Sequence, residues 1–202
     1  MPEQGPGSDR DASAELARER VQAAILELSG EVGYRAVTLE QLLARSGVDD
    51  GEFHSRFRDL GECFAVAYEE QAEALCQEML AAARRAGEWK AGTQAALEVV
   101  LGFVGAQPAI GKALVREVHV AGGAALAKHE EVLERLAHAV GSGCEPPVSD
   151  LETVPRAPSF IVGAVEGVIA GHLDRGEPQD LLKVGDELMY LIVASFLGRD
   201  TV

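Results

Sequence analysis

The sequence feature that most restricts the fold is a pair of short helices, each preceded by a helix-start signal and joined at a glycine. Thr38 stands three residues before Gln41, and Asp49 stands three residues before Glu52. In such a pair the side chain of the first residue accepts a hydrogen bond from the backbone amide of the second, and the side chain of the second accepts one from the backbone amide of the first. Gly47 can take the positive φ that ends one helix and turns the chain sharply. The spacing predicts a helix-turn-helix, with a plain helical hairpin as the alternative.

The rest of the chain also follows a helical pattern, because Ala, Leu, Glu and Arg dominate and apolar residues recur every three or four positions. The alternation of apolar and polar residues that strands show is missing. We therefore expect an all-α protein of about nine helices, with a three-helix helix-turn-helix head and a C-terminal helical bundle. Outside the two short helices, the expected helices are about 13–30, 61–86, 91–104, 108–120, 124–140, 158–175 and 178–197, with a loop at 141–157.

These helices divide the chain into a disordered arm (1–12), a helix-turn-helix domain (13–60) and a larger C-terminal domain (61–202). No apolar run reaches the length of about 18 residues that a membrane helix needs. The polar first residues do not fit a signal peptide. Three cysteines without a C-x-x-C spacing do not indicate a disulfide framework. Together these features favour a soluble cytoplasmic protein that has no membrane contact.

The last two expected helices are apolar on more than one side, so each must be buried on more than one side. The C-terminal domain offers one covering surface. The same two helices of a second copy would offer the other, in a four-helix bundle with two-fold symmetry. The alternative is that both helices lie in the middle of a monomer. We expect a homodimer, with candidate interface residues Ile161, Val165, Val168, Ile169, His172, Leu188, Leu191, Ile192 and Phe196.

A longer string of residues around the helix-turn-helix carries a resemblance to a known family. The string comprises Ala23-Ala24-Ile25, Leu28, Gly33-Tyr34, Thr38, Leu42-Leu43-Ala44, Ser46-Gly47-Val48, Phe53, Phe57, Asp59 and Phe64. With these spacings Val21–Phe64 resembles the N-terminal domain of TetR-family transcriptional regulators, and the remainder resembles the family in layout. The resemblance implies a homodimer, usually a repressor, that binds a palindromic operator and is released when a small molecule enters the C-terminal domain.

By the same resemblance, the two short helices and their surroundings would contact double-stranded DNA. The candidate residues are Arg35, Thr38, Arg45, Asp50, Gly51, Glu52, His54, Arg56 and Arg58. An ordinary solvated position is the alternative for each arginine and for His54. A positive strip formed by the four arginines beside the third helix would favour DNA binding.

The third helix departs from the family pattern in its acidity. Asp49 and Asp50 stand where the family usually has Ser or Thr followed often by a basic residue, and Leu60 replaces a common Lys. Asp49 caps a helix as well as serine does, but its charge lies where helix amides would otherwise meet a phosphate. Residues 1–60 hold seven Arg and no Lys against twelve acidic residues, a balance near −5 in a chain of net charge −15.

Repulsion from the phosphates would weaken DNA binding and make it strongly salt-dependent, although a carboxylate can accept from cytosine N4. The alternative function is therefore a TetR-like fold with weakened or lost DNA binding that acts as a ligand-binding or protein-binding module.

The resemblance also implies a chamber in the C-terminal domain for a small apolar or amphipathic ligand. Arg116 and His119 lie one turn apart, so they can face inward together. The alternatives are an ion pair for Arg116, and plain core packing for His119 and the aromatic residues. The candidate lining residues are Tyr68, Cys76, Phe103, Arg116, His119 and Phe160.

An enzyme would need a constellation of reactive residues, and the sequence contains none that we recognise. The Glu-x-x-His pairs of di-iron bundles, H-E-x-x-H, the Walker loop, G-x-S-x-G and G-x-G-x-x-G are all missing. We therefore expect no enzymatic activity, no metal and no cofactor.

Overall fold

The computed structural model describes residues 6–142 and 157–197. This part of the chain is all-α and contains no strand, as the sequence predicts. A π-helical turn, Ala113–Glu117, joins α6 to α7, so Pro108–Ala121 is one continuous helix and the described chain has nine helices. The helices are α1 (Pro6–Val32), α2 (Leu39–Ser46), α3 (Asp50–His54), α4 (Leu60–Ala86), α5 (Trp89–Ala106), α6 (Pro108–Lys112), α7 (Val118–Ala121), α8 (Gly123–Ser142), α9 (Ala157–Arg175) and α10 (Gly185–Leu197).

The first helix is longer than the sequence pattern predicts, because it begins at Pro6 and not near Ser13. Residues 6–12, which we expected in a disordered arm, continue the helix, and residues 1–5 of that arm lie outside the described part. A proline in the first turn, followed closely by acidic residues, suits a helix N-terminus, which gives a physical reason for the earlier start.

The sequence suggests Gly30 and Gly33 as the residues that stop α1, and the structure supports only Gly33: the helix continues through Gly30 to Val32 and ends before Gly33, whose φ is 85°. Gly30 has another role. A Cβ atom at this position would lie 1.8 Å from the carbonyl oxygen of Ala109. The backbones of α1 and α6 therefore cross in close contact here, which only glycine allows.

The helix-turn-helix forms as predicted. Thr38 Oγ1 accepts from the Gln41 amide at 3.3 Å, and Gln41 Oε1 accepts from the Thr38 amide at 2.9 Å, completing the capping box of α2. Gly47 takes the left-handed conformation, with φ 69°. At α3, Asp49 Oδ1 accepts from the Glu52 amide at 2.7 Å, whereas the Glu52 carboxylate turns to Arg56, 3.2 Å away. The second capping box is thus formed only in its first half.

One hydrophobic core joins the head to the rest of the chain. The apolar face of α1 packs on α2, α3 and α4, and the same core continues into α6, the π-helical turn and α8. Burial of this surface, worth roughly 25 cal/mol per Å², fixes the head on the body. Its most buried large side chains are Val21, Ile25, Leu42, Phe53, Phe64, Tyr68 and Val118.

The last helical region departs from prediction, because the segment expected as one helix from 178 to 197 has two parts. Pro178–Val184 is a 3-10 helix, and α10 begins at Gly185. The 3-10 segment packs along α5, where Leu181 is fully buried and Val184 joins the same cluster. In a 3-10 helix residues three apart lie in line, so this geometry points both side chains at α5.

Among the described residues, no helix is by itself long and apolar enough to cross a membrane, although the sharply bent pair Trp89–Ala106 and Pro108–Ala121 meets the length and composition requirement together.

Candidate functional site

A cavity of about 480 Å³ lies in the body, between α4, α5, α8 and α9. It follows α4 from Tyr68 to Gly87, a span of roughly 28 Å at the rise of an α-helix. The volume is in the range of ordinary small-molecule sites, and the length favours an elongated ligand. Most of the wall is apolar, built from Ala72, Leu75, Met79, Leu80, Leu97, Val100, Leu114, Val132, Leu136, Ile161, Val165, Ile169 and Ile192.

The end of the cavity nearest the head is polar. Tyr68 Oη lies 2.8 Å from His129 Nδ1, and His129 Nε2 lies 3.0 Å from Glu166 Oε1. Tyr68 and His129 are buried, and Glu166 is largely so. Burial, helped by the Glu166 carboxylate, raises the pKa of the Tyr68 phenol well above its usual range. The phenol therefore stays neutral at any physiological pH.

The opposite end lies where α4 gives way to α5. Arg84 and Glu88 are exposed there and border the cavity, together with Thr93. Trp89 also borders this end, and its indole N–H donates to the Val140 carbonyl at 2.8 Å. The cavity therefore has the exposed charged side chains of Arg84 and Glu88 at its open end and apolar walls between the two polar ends.

The predicted lining residues divide into two groups. Tyr68 and Cys76 line the cavity, but the other four candidates are not among its lining residues. Phe103 packs between two core clusters, and Phe160 is exposed. Arg116 pairs with Asp174 at the surface.

The expectation that Arg116 and His119 face the cavity together is wrong for a geometrical reason. Arg116 lies in the π-helical turn, where hydrogen bonds run from residue i to i+5. Residues three apart therefore no longer lie on one face as they would in the α-helix that the prediction assumed. The His119 ring instead meets the His129 ring edge to face, with centroids 5.2 Å apart.

Sequence patterns missed His129 and Glu166, because no local motif joins residues of different helices. One signal was present for Glu166, which is the sole charged residue between 157 and 171. An isolated carboxylate in an apolar helix is seldom buried without a partner, so it marks a candidate site.

The proposed DNA-facing surface centres on α3. Phe53 anchors this helix in the core, and Asp50, Gly51 and His54 are exposed on its outer side. His54 Nε2 lies 3.6 Å from Asp50 Oδ1. Asp50 and the half-buried Glu52 therefore give the outer side of α3 an acidic N-terminal half.

Three of the four candidate arginines are paired with carboxylates. Arg45 contacts Glu27 at 3.2 Å and Glu31 at 2.7 Å, and its guanidinium lowers the pKa of Glu31. Arg58 lies 3.1 Å from Glu62.

Arg56 is mostly covered: it pairs with Glu52 and donates to the carbonyl oxygens of Glu52 and Ala14. Within the described residues, Arg35 alone of the four has no carboxylate in ion-pair distance. The expected positive strip is therefore largely neutralised, while Thr38 serves its helix cap and remains exposed.

A polar contact links the body to the head. Glu117, the last residue of the π-helical turn, accepts a hydrogen bond from the Tyr34 amide at 2.8 Å. Tyr34 begins the 3-10 turn Tyr34–Ala36 that leads into α2. The helix that carries His119 is thus bonded directly to the segment that precedes the helix-turn-helix.

The overall arrangement matches those of solved transcriptional regulators. The fatty acid degradation regulator FadR from Bacillus halodurans superposes with a TM-score of 0.76 and 16% identity, over 87% of this chain and 97% of that one. FadR from Bacillus subtilis, solved with stearoyl-CoA, gives 0.72 and 13%, over 88% and 98%. A TetR transcriptional regulator from Rhodococcus sp. RHA1 gives 0.53 and 20%, over 85% and 95%.

The chain has the TetR-type fold. No family model matches the sequence, and no curated protein matches it either. The named structures are regulators and none is described as an enzyme.

Within this fold, the predicted dimer residues of α9 and α10 lie mostly inside one chain. Ile169, Leu188, Ile192 and Phe196 are buried, and Ile161 and Val165 line the cavity. Val168 and His172 are half-buried, and Leu191 is exposed. The predicted set contains the most apolar residues of each helix, whichever side of the helix they lie on. Most of these residues lie on the sides of the two helices that face the rest of the chain. The exposed outward faces carry Phe160, Gly163, Ala164, Gly167, Tyr190 and Leu191.

Proposed function

We propose that the protein is a cytoplasmic TetR-type transcriptional repressor that binds a palindromic operator as a homodimer and is released by an amphipathic ligand. The observation that carries the proposal is the combination of an exposed helix-turn-helix and an apolar cavity on one continuous core. α4 borders both sites, since its first turn packs against the head and its later turns line the cavity. A ligand that moves α4 would therefore also move the head.

The cavity supports a ligand with a long acyl chain. Its apolar wall extends for roughly 28 Å along α4, which suits a flexible hydrocarbon better than a compact ring system. The neighbouring FadR of Bacillus subtilis was solved with stearoyl-CoA, and this supports the same ligand class here. Arg84 borders the open end, where it can pair with a carboxylate or phosphate of the ligand.

Binding of long-chain fatty acids and their CoA esters tests this ligand class. We expect both to raise the melting temperature of the full chain, since a ligand that binds only the folded state stabilises it. Arg84→Ala should weaken binding of the anionic ligands about tenfold. Arg85→Ala is the matched control, because Arg85 is the exposed neighbour that does not line the cavity. Equal effects of the two substitutions would contradict the assignment of Arg84.

DNA binding should be weak and dominated by a few groups. Arg35 and the Thr38 hydroxyl remain available for phosphates, and Gly51 and His54 are exposed on α3 for contacts with bases. Two recognition helices related by a two-fold axis would enter successive major grooves, about one helical turn apart. Because three of the four candidate arginines are paired with carboxylates, few cations are left to neutralise phosphates. We therefore replace the strong salt dependence expected from the sequence with a shallow dependence of affinity on salt, at low affinity throughout.

Selection from random duplex DNA, at low and at physiological salt, tests operator binding. A recovered palindrome with half-sites about one turn apart would support the repressor. Asp50→Asn should tighten binding about two- to fivefold by removing a charge at the helix N-terminus. Glu130→Gln removes one charge from an exposed site on the body and should leave the affinity unchanged.

The neutralised arginines favour one alternative, a TetR-like module that binds its ligand or a protein partner but not DNA. Failure to enrich any sequence at either salt concentration, with ligand binding intact, would establish this alternative over the repressor.

A further inference from the structure

Three side chains from three helices meet beside the polar end of the cavity: the exposed His119 of α7, and the lining residues His129 of α8 and Glu166 of α9. Each offers one metal-ligand atom, and these atoms lie within 4.8 Å of one another. Two imidazoles and a carboxylate are the donor set of zinc sites that keep one coordination position open. The sequence contains no metal motif, because residues 119, 129 and 166 come together only in the folded chain.

The buried atoms of this cluster lack hydrogen-bond partners. His129 is only 5% exposed, and its Nε2 lies 3.0 Å from Glu166 Oε1. The two atoms are nevertheless not aligned as a hydrogen bond, and neither has another partner among the described residues. Buried polar atoms of folded proteins are nearly always paired. Both atoms therefore face a position that the polypeptide leaves to another species.

Tyr68 orients the His129 ring for this purpose. Its hydroxyl lies 2.8 Å from Nδ1, and in one tautomer of His129 the phenol oxygen accepts a hydrogen bond from Nδ1–H. Nε2 then presents a lone pair beside the Glu166 carboxylate, and two electron-rich atoms 3.0 Å apart repel each other unless a proton or a metal ion lies between or beside them. An imidazole held through its second nitrogen is the usual arrangement of a metal-binding histidine.

The distances suit a small divalent ion. Ligands at about 2.0–2.1 Å from a tetrahedral zinc lie roughly 3.3 Å from one another, close to the spacing of His129 Nε2 and Glu166 Oε1. His119 is exposed, so its imidazole can rotate to close the remaining gap. The same exposure gives an ion a route from solvent to the buried pair.

We propose that His119, His129 and Glu166 bind one divalent transition-metal ion, with Zn²⁺ as the best match. Tyr68 positions His129, and the fourth coordination position of the ion faces the cavity. Binding of the ion requires neither operator DNA nor the acyl ligand, although the ion would lie at the polar end of the cavity that receives the acyl ligand. The sequence predicts no metal in this chain.

Titration of the full chain, first stripped with a chelator, with Zn²⁺ or Co²⁺ tests the proposal. We expect one ion per chain, and the Co²⁺ form should show the intense visible absorption of a tetrahedral site. His119→Ala and Glu166→Gln should each weaken Zn²⁺ binding at least tenfold. His138→Ala is the matched control, because His138 is exposed on α8 outside the cluster and should leave the affinity unchanged.

Two outcomes would overturn the site. One is that the wild-type chain binds no more Zn²⁺ than the variant combining His119→Ala with Glu166→Gln. The other is that His138→Ala reduces binding as much as His119→Ala does. Far-ultraviolet circular dichroism confirms that each variant is folded, and His119→Ala serves as the main test because an exposed side chain is replaced.

Discussion

Arg56 shows how a side chain expected on a DNA-binding surface can be used to hold that surface together. Its guanidinium donates to the carbonyl oxygen of Glu52 at 2.9 Å and to that of Ala14 at 3.3 Å, and its side chain is 19% exposed. These bonds tie the C-terminal end of α3 to α1. Arg58, two residues away, is 83% exposed, and the carboxylate that it contacts is that of Glu62 in the first turn of α4. The two arginines are close in sequence, but only the removal of Arg56 breaks a contact between the end of α3 and α1.

We therefore expect Arg56→Ala to lower the free energy of unfolding by about 1–2 kcal/mol, since hydrogen bonds from a charged group are lost and partly buried carbonyls remain. Arg58→Ala should change it by less than about 0.5 kcal/mol, because an exposed ion pair contributes little. Urea unfolding followed by circular dichroism measures both. Equal losses in the two variants would show that Arg56 has no structural role.

Cys63 gives a prediction for alkaline pH. The thiol is fully buried, and this burial raises its pKa to about 12. Above about pH 9 the thiol loses its proton in the unfolded chain but keeps it in the folded chain. The free energy of unfolding therefore falls as the pH rises, until the folded chain also loses the proton near pH 12. Between pH 9 and 10 this thiol lowers the free energy of unfolding by about 1 kcal/mol. Cys63→Ala should remove that part of the decline; an unchanged slope would contradict the assignment.

At the scale of helices, the sequence predicts starts and stops well where a local side chain decides them. The capping box at Thr38, the cap at Asp49 and the left-handed Gly47 all follow from local chemistry. The π-helical turn and the 3-10 segment were not predicted, because packing between distant helices decides them. Leu181 of the 3-10 segment, for example, is fully buried against α5, which is far from it in sequence.

The crossing of α1 and α6 is another feature that only the folded chain reveals, and it gives a prediction for two glycines. Gly30→Ala places a Cβ against the Ala109 carbonyl, which must move, so we expect a loss of about 1–3 kcal/mol in the free energy of unfolding. Gly102→Ala, in the interior of α5 with no atom near its Cβ position, should gain about 0.5–1 kcal/mol through helix propensity. Thermal unfolding distinguishes the two. If Gly30→Ala were as stable as the wild type, the two helices would not cross as described.

Glu117 connects the two sites through one hydrogen bond, so its removal should loosen the head locally. In Glu117→Ala the Tyr34 amide loses its acceptor, and its hydrogen exchange should become at least tenfold faster, for a net loss of about 1.5 kcal/mol. Glu117→Gln keeps an acceptor oxygen and should retain most of the protection. No change at Tyr34 in the alanine variant would mean that this contact does not hold the 3-10 turn.

At the scale of the whole molecule, the fold was predictable from the sequence and the sites only in part. Helical periodicity and two helix caps suffice for an all-α chain with a helix-turn-helix. The cavity depends on side chains from α4, α5, α8, α9, α10 and the π-helical turn, so local patterns identified Tyr68 and Cys76 but missed His129 and Glu166. The charge of the DNA-facing surface was also only partly predictable. The number of arginines follows from the sequence, but the carboxylates that pair with them are known only from the structure.

The outward faces of α9 and α10 have features that support a dimer. Gly163 and Gly167 lie on the exposed face of α9 with no atom near their Cβ positions. Glycine inside a helix costs about 0.5–1 kcal/mol relative to alanine, and no contact among residues 6–142 and 157–197 explains that cost. Beside them Phe160, Tyr190 and Leu191 are between 51% and 67% exposed. This apolar patch, which is bordered by the exposed Asp186 and Glu187 in the first turn of α10, suits close packing against the same patch of a second copy.

Leu191→Glu should therefore raise the dimer dissociation constant at least tenfold, about 1.4 kcal/mol, because two charges related by the two-fold axis would be buried in the interface. Leu16→Glu is the matched control: Leu16 is equally exposed, at 60%, but lies on α1 in the head. Light scattering after size-exclusion chromatography, over a range of protein concentrations, measures the change. Gly167→Leu provides a second test, since it favours the isolated helix but blocks close approach. Dimers that persist in both variants would place the interface on another surface.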